Sequence, residues 1–141
     1  MKPKPRAYVV DDDPAVVEAL ASLIGVMGFD VDSYGSAEEF LDTYSPNKSE
    51  CLILDVRLPG MSGLELQREL SRRGSRLPIV FITGHAERNA AAEAMKFGAV
   101  EFLEKPFETQ ALLDSVEKAI AIDAAKRNGV LGESKGGSSS N

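Results

Sequence analysis

The sequence predicts a doubly wound α/β sandwich, and three observations carry that prediction. Five strand-length segments alternate with five segments of helical period along the 141 residues. Every connection between them is short. Four of the strand-like segments end abruptly in polar residues: Asp11-Asp12-Asp13, Asp55, Thr83 and Glu104-Lys105. Alternation of this kind forces parallel strands, right-handed crossovers and helices on both faces of one sheet.

Taken in order, Ala7-Tyr8-Val9-Val10 is a buried strand that stops at three aspartates. Asp13 is placed as an N-cap and Pro14 as the first residue of a helix. Val17, Leu20, Ile24 and Met27 recur at helical spacing, and Gly28 ends the run. Phe29 to Tyr34 alternates instead, which predicts an edge strand with one wet face. Ser36 and Glu39 form a capping box for a helix that carries Phe40 and Leu41 and ends near Pro46. Cys51-Leu-Ile-Leu54, too short for a stable helix, delivers Asp55 to a Pro59-Gly60 turn. Ser62 caps a helix bearing Leu64, Leu66 and Leu70. Pro78 to Thr83 is a fully apolar strand, followed by an alanine-rich helix that Gly98 stops. Val100 to Leu103 is the fifth strand, and Leu112, Leu113, Val116 and Ile120 mark the last helix. After about residue 125 the composition turns to the Gly/Ser of a flexible linker or tail. The expected division is an N-terminal extension (1–6), one domain (7–124) and a flexible segment (125–141).

Composition narrows the function classes. Hydrophobic residues make up 43% and charged residues 27%, as in ordinary globular proteins. No apolar run approaches the roughly 20 residues that cross a bilayer, and the basic start, Met1 to Arg6, lacks a signal-peptide core. The expectation is a cytoplasmic protein without membrane contact. A net charge of −6 argues against these residues gripping nucleic acid. Cys51, the single cysteine, lies inside an apolar run and reads as a buried small hydrophobe.

In an open parallel sheet, ligands bind outside the carboxyl ends of the strands. Asp11, Asp12, Asp55, Thr83 and Lys105 all fall at such ends. Three carboxylates at one rim are electrostatically awkward, since two unit charges about 4 Å apart repel by roughly 4 kcal/mol at an effective dielectric of 20. Either one carboxyl stays protonated or a cation sits among them. Oxygen ligands suit Mg²⁺, and with His85 as the sole histidine there is no zinc-type donor cluster. A carboxylate in such surroundings is a candidate nucleophile for phosphoryl transfer, with Mg²⁺, the Lys105 ammonium and the Thr83 hydroxyl each serving one phosphoryl oxygen. A cis Lys105-Pro106 bond would aim the lysine inward.

In this order and spacing, Asp11-Asp12, Asp55-x-x-Leu-Pro-Gly-Met-Ser-Gly63, Thr83 and Lys105-Pro106 resemble the receiver domain of bacterial two-component response regulators. The resemblance covers about residues 6–124. The Ile-Thr-Gly-His and Glu-Lys-Pro-Phe segments are similar to the FixJ-like branch. It implies a flavodoxin-like sheet of order 2-1-3-4-5 and phosphorylation of Asp55 by the histidine of a sensor kinase. Asp12, Asp55 and the Arg57 carbonyl would ligate Mg²⁺, with Asp11 acting through water. Thr83 and Lys105 would hold the phosphoryl oxygens, and Phe102 would follow Thr83 inward as a rotamer switch. Arg57 and His85 would flank the site and tune dephosphorylation. The implied output is a change in the face made by the fourth helix, fifth strand and fifth helix. That change drives phosphorylation-dependent homodimerisation and acts on DNA through a C-terminal output domain absent from this segment. The chain would then be a signalling domain that assists its own phosphorylation and slow autodephosphorylation, not an enzyme that turns over a substrate. A stand-alone phosphate shuttle with protein–protein output is the alternative.

Two other readings fit less well. An aspartate-nucleophile phosphatase wants Asp-x-Asp-x-Thr/Val, and neither Asp11-Asp12-Asp13-Pro14-Ala15 nor Asp55-Val56-Arg57 supplies it. A nucleotide- or flavin-binding sandwich wants a Gly-rich loop after the first strand, where this chain has carboxylates that repel phosphate.

Overall fold

The strands form because each apolar run is flanked by turn residues and can bury two faces at once. The computed structural model describes residues 4–46, 49–84, 87 and 89–127. Five strands, β1 (Arg6–Val10), β2 (Asp30–Tyr34), β3 (Glu50–Asp55), β4 (Ile79–Thr83) and β5 (Glu101–Glu104), alternate with five helices. These are α1 (Pro14–Val26), α2 (Ala37–Thr43), α3 (Gly63–Arg72), α4 (Ala90–Lys96) and α5 (Thr109–Arg127). The strands make one parallel sheet in the order β2-β1-β3-β4-β5, the flavodoxin-like order.

The period-two alternation of the strands divides the core into two layers. Tyr8, Val10, Leu52, Leu54 and Phe81 meet Phe40 of α2, Leu66 and Leu70 of α3, and Ala94 of α4. Ala7, Val9, Cys51, Ile53, Val80 and Ile82 meet Leu20 and Ile24 of α1 and Leu112, Val116 and Ala119 of α5. Cys51 is fully buried, and burial pushes its thiol up to about 12, so it packs as a hydrophobe.

The helix starts follow their caps. Asp13 accepts from the Ala15 N–H at 3.0 Å ahead of Pro14. Ser62 and Glu65 make a complete reciprocal capping box at α3. At α2 the expected box is only half made. Ser36 Oγ accepts from Glu39 N–H, but the Glu39 carboxylate accepts from Gly35 N–H, one residue earlier than a box requires. The edge strand β2 also departs from strict alternation. Asp30, Val31, Asp32 and Tyr34 are all half-buried, because Arg6 of β1 reaches Asp32 at 2.7 Å and Asp30 at 3.7 Å. The last helix runs through Arg127, past the expected boundary at 124, because Asp123 is buried against the sheet and Ala124, Ala125 and Lys126 are good helix formers.

At the amino-terminal edge of the sheet lies a buried polar network. The Tyr8 and Tyr44 hydroxyls donate to the two oxygens of Glu50 at 3.1 and 2.6 Å, while the Glu50 N–H donates to Asp123 of α5 at 2.9 Å. At the opposite edge two glycines shape the turn after β3. Gly60 has φ +72°, a left-handed conformation that favours glycine. Gly63 opens α3 so close to β3 that an added Cβ would lie 2.2 Å from the Asp55 carbonyl oxygen. That obstacle is backbone and cannot turn away. Gly63→Ala is expected to lower stability by about 2 kcal/mol or more, read as a lower urea midpoint with unchanged slope.

Candidate phosphoacceptor site

Parallel register assembles the site. Val10 stands opposite Leu54, Asp55 opposite Ile82 and Thr83 opposite Glu104, so the residues that end these strands share one rim. There Asp11, Asp12 and Asp55 each present a carboxylate oxygen within 4.8 Å of the others. Asp11 is 1% and Asp55 6% exposed, whereas Asp12 faces solvent. The Lys105 ammonium bridges the two buried acids, 3.0 Å from Asp11 and 3.1 Å from Asp55. It follows a cis Lys105–Pro106 peptide. Backbone donors occupy the remaining oxygens: Asp13 N–H reaches Asp11 Oδ1 at 2.9 Å and Arg57 N–H reaches Asp55 Oδ1 at 3.1 Å.

These surroundings tune the charges. Burial, and then the charge of Asp11, raises the Asp55 carboxyl to about 6, although Lys105 and the Arg57 N–H pull it back. Asp55 therefore stays mostly ionised at neutral pH. Burial draws the Lys105 ammonium down, but its hydrogen bonds to and the charges of Asp11 and Asp55 outweigh that and leave it raised.

The acids line an open cleft of about 550 Å³ with Arg57, Leu58, Pro59, Gly84, Glu87 and Lys105. Thr83 sits apart from them. It is fully buried, and among the described residues its Oγ1 has no hydrogen-bond partner. Phe102 is half-buried on β5 and tilts against Phe81, with ring centroids 6.0 Å apart. Arg57 is exposed at the cleft mouth, and His85 lies outside the described residues.

Three contributors carry no motif. Glu87 forms an ion pair with Arg57 across the cleft. Glu38 of α2 accepts from the Met61 N–H at 2.8 Å and steadies the turn after Asp55. Gly63 makes room for the Asp55 carbonyl. The one available signal was Gly63 itself, which closes the Pro-Gly-Met-Ser-Gly stretch.

A family model described as the response regulator receiver domain matches residues 7–117. The chain belongs to the response regulator receiver domain family. It is thus a signalling domain of two-component systems. This receiver domain is 46% identical over 124 residues to nodulation protein W of Bradyrhizobium diazoefficiens, covering 88% of the chain and 55% of that protein. It is 44% identical over 117 residues to the transcriptional regulatory protein FixJ of Azorhizobium caulinodans, covering 83% and 56%. The solved structure of response regulator StyR superposes with a TM-score of 0.85 at 46% identity, covering 90% of this chain and 64% of that one. The receiver domain spans about half the length of the curated relatives it matches. Among the described residues no helix is long and apolar enough to cross a membrane.

The raised Asp55 carboxyl has a consequence for stability. Between its ordinary 3.8 and about 6, the folded state keeps a proton that the unfolded state has lost, so the contribution of Asp55 falls as pH rises through that window. In magnesium-free buffer Asp55→Asn is expected to stabilise the fold at pH 7 by roughly 1–3 kcal/mol, with the gain vanishing near pH 4. Urea unfolding at the two pH values checks this; a destabilised variant at pH 7 contradicts it.

Proposed function

We propose that this receiver domain accepts a phosphoryl group on Asp55 from the phosphohistidine of a sensor kinase. The observation that carries the reading is the meeting of three carboxylates and the Lys105 ammonium at one rim, with Asp55 mostly ionised and open to the cleft. An Asp55 oxygen attacks phosphorus, the new O–P bond forms, and the P–N bond breaks with its electron pair leaving on the kinase imidazole.

The donor set is all oxygen and suits a hard divalent cation. Asp12, Asp55 and the Arg57 carbonyl are the residues that would hold Mg²⁺, with Asp11 acting through water. Bound there, Mg²⁺ supplies positive charge to the transferring group and relieves the mutual repulsion of the acids. Lys105, already on Asp55, neutralises a phosphoryl oxygen. The buried, unpartnered Thr83 hydroxyl has a spare donor for another. Phe102, packed on Phe81 beside Thr83, is the side chain placed to answer a Thr83 movement.

The readout in this proposal is the α4-β5-α5 face, which drives homodimerisation on phosphorylation. The receiver unit is 7–124, followed by a linker toward an output domain. Kinship with FixJ, a transcriptional regulatory protein, supports a DNA-binding output outside these residues and a cytoplasmic setting. Such a domain assists its own phosphorylation and slow dephosphorylation and turns over no other substrate. A stand-alone shuttle with protein–protein output is the alternative.

Incubation with acetyl phosphate and Mg²⁺ is expected to add one acid-labile phosphate, abolished in Asp55→Asn; retained incorporation moves the acceptor elsewhere. Asp12→Asn is expected to weaken Mg²⁺ binding about tenfold or more, and an unchanged Mg²⁺ titration removes Asp12 from the ligand set.

A further inference from the structure

Charge in the cleft is unevenly shared. Asp11, Asp12, Asp13, Asp55 and Glu87 line it against two cations, Lys105 and Arg57. Lys105 is committed to Asp11 and Asp55. Arg57 turns to Glu87 instead, although it lies two residues from Asp55 and its backbone N–H already holds the Asp55 carboxylate. Glu87 comes from the segment between β4 and α4, where its own N–H donates to the Gly84 carbonyl at 3.1 Å.

We propose that Glu87 is a built-in competitor for the phosphoryl group: it holds the Arg57 guanidinium until an anion on Asp55 takes it over. The inference rests on the reading of Asp55 as phosphoacceptor and adds to it a residue that sets how tightly the anion is held. The Arg57 side chain is 75% exposed, so its pair with Glu87 is a weak surface ion pair that salt screens. A phosphoryl group on Asp55 adds a second negative charge and presents several oxygens to the guanidinium fork, a stronger partner than one carboxylate. Arg57 therefore exchanges Glu87 for the anion, and breaking the pair subtracts from the affinity gained. Glu87 is a tuning residue in this scheme, and no bond is made to it.

A double-mutant cycle with beryllofluoride and Mg²⁺ as the probe tests the exchange. Both side chains are surface groups, so the variants fold. Glu87→Gln is expected to tighten beryllofluoride binding about three- to fivefold when Arg57 is present and less than twofold in the Arg57→Ala background. The Arg57 Nε–H resonance is expected to shift on beryllofluoride addition in the wild-type chain. Equal tightening in both backgrounds reduces Glu87 to a distant repulsive charge and overturns the exchange, as does an unmoved Arg57 resonance. Those outcomes leave Asp55 as acceptor intact. Failure of the wild-type chain to bind beryllofluoride at all instead removes the phosphoacceptor reading and the exchange with it.

Discussion

The Lys105 ammonium, lodged between Asp11 and Asp55, is the interaction on which the working end of this molecule depends. Parallel strands deliver their carboxyl ends to one edge, and in this chain two of those ends are buried acids. Without a cation the edge would repel itself. Lys105 offsets much of that repulsion but not all, since Asp55 still binds its proton more tightly than a free aspartate. The incomplete neutralisation leaves a nucleophile, and it leaves room for a further cation.

Around that centre the fold separates tasks by distance from the sheet. The strand interiors are apolar and the polar termini carry the chemistry, while the turn after β3 is held by Glu38 and the tight approach of Gly63. Thr83 bridges the two zones. It ends a fully buried strand and carries a hydroxyl that the folded chain leaves unsatisfied, a cost that folding alone does not explain. An oxygen arriving in the cleft is a natural partner for it.

Much of this was legible in residues close together in sequence. The cap Asp13-Pro14, the Ser62 cap and the apolar run before Asp55 each follow from local rules, and together they yield the element order and hence the sheet order. The family motif then names the acids, Thr83 and Lys105. What stayed hidden is pairing across long sequence separations. Glu50 opens a strand, where an acid ordinarily faces water. Its burial depends on tyrosines from β1 and from the end of α2 arriving at both carboxylate oxygens. Glu87 lies thirty residues from Arg57 with no period or spacing to link them. Glu39 was read correctly as a capping side chain, but its target slipped by one residue because Gly35 N–H lay within reach.

The network around Glu50 has a mechanical consequence. Because Asp123 accepts the Glu50 N–H, the end of α5 is fastened to the first residue of the strand whose last residue is Asp55. Six fully buried residues span the two ends, a strut of about 17 Å at the usual rise of a strand. The chain thus leaves the fold from a point surveyed against the acceptor strand itself and not against the loops that surround the cleft. Whatever follows α5 inherits an origin of coordinates shared with Asp55.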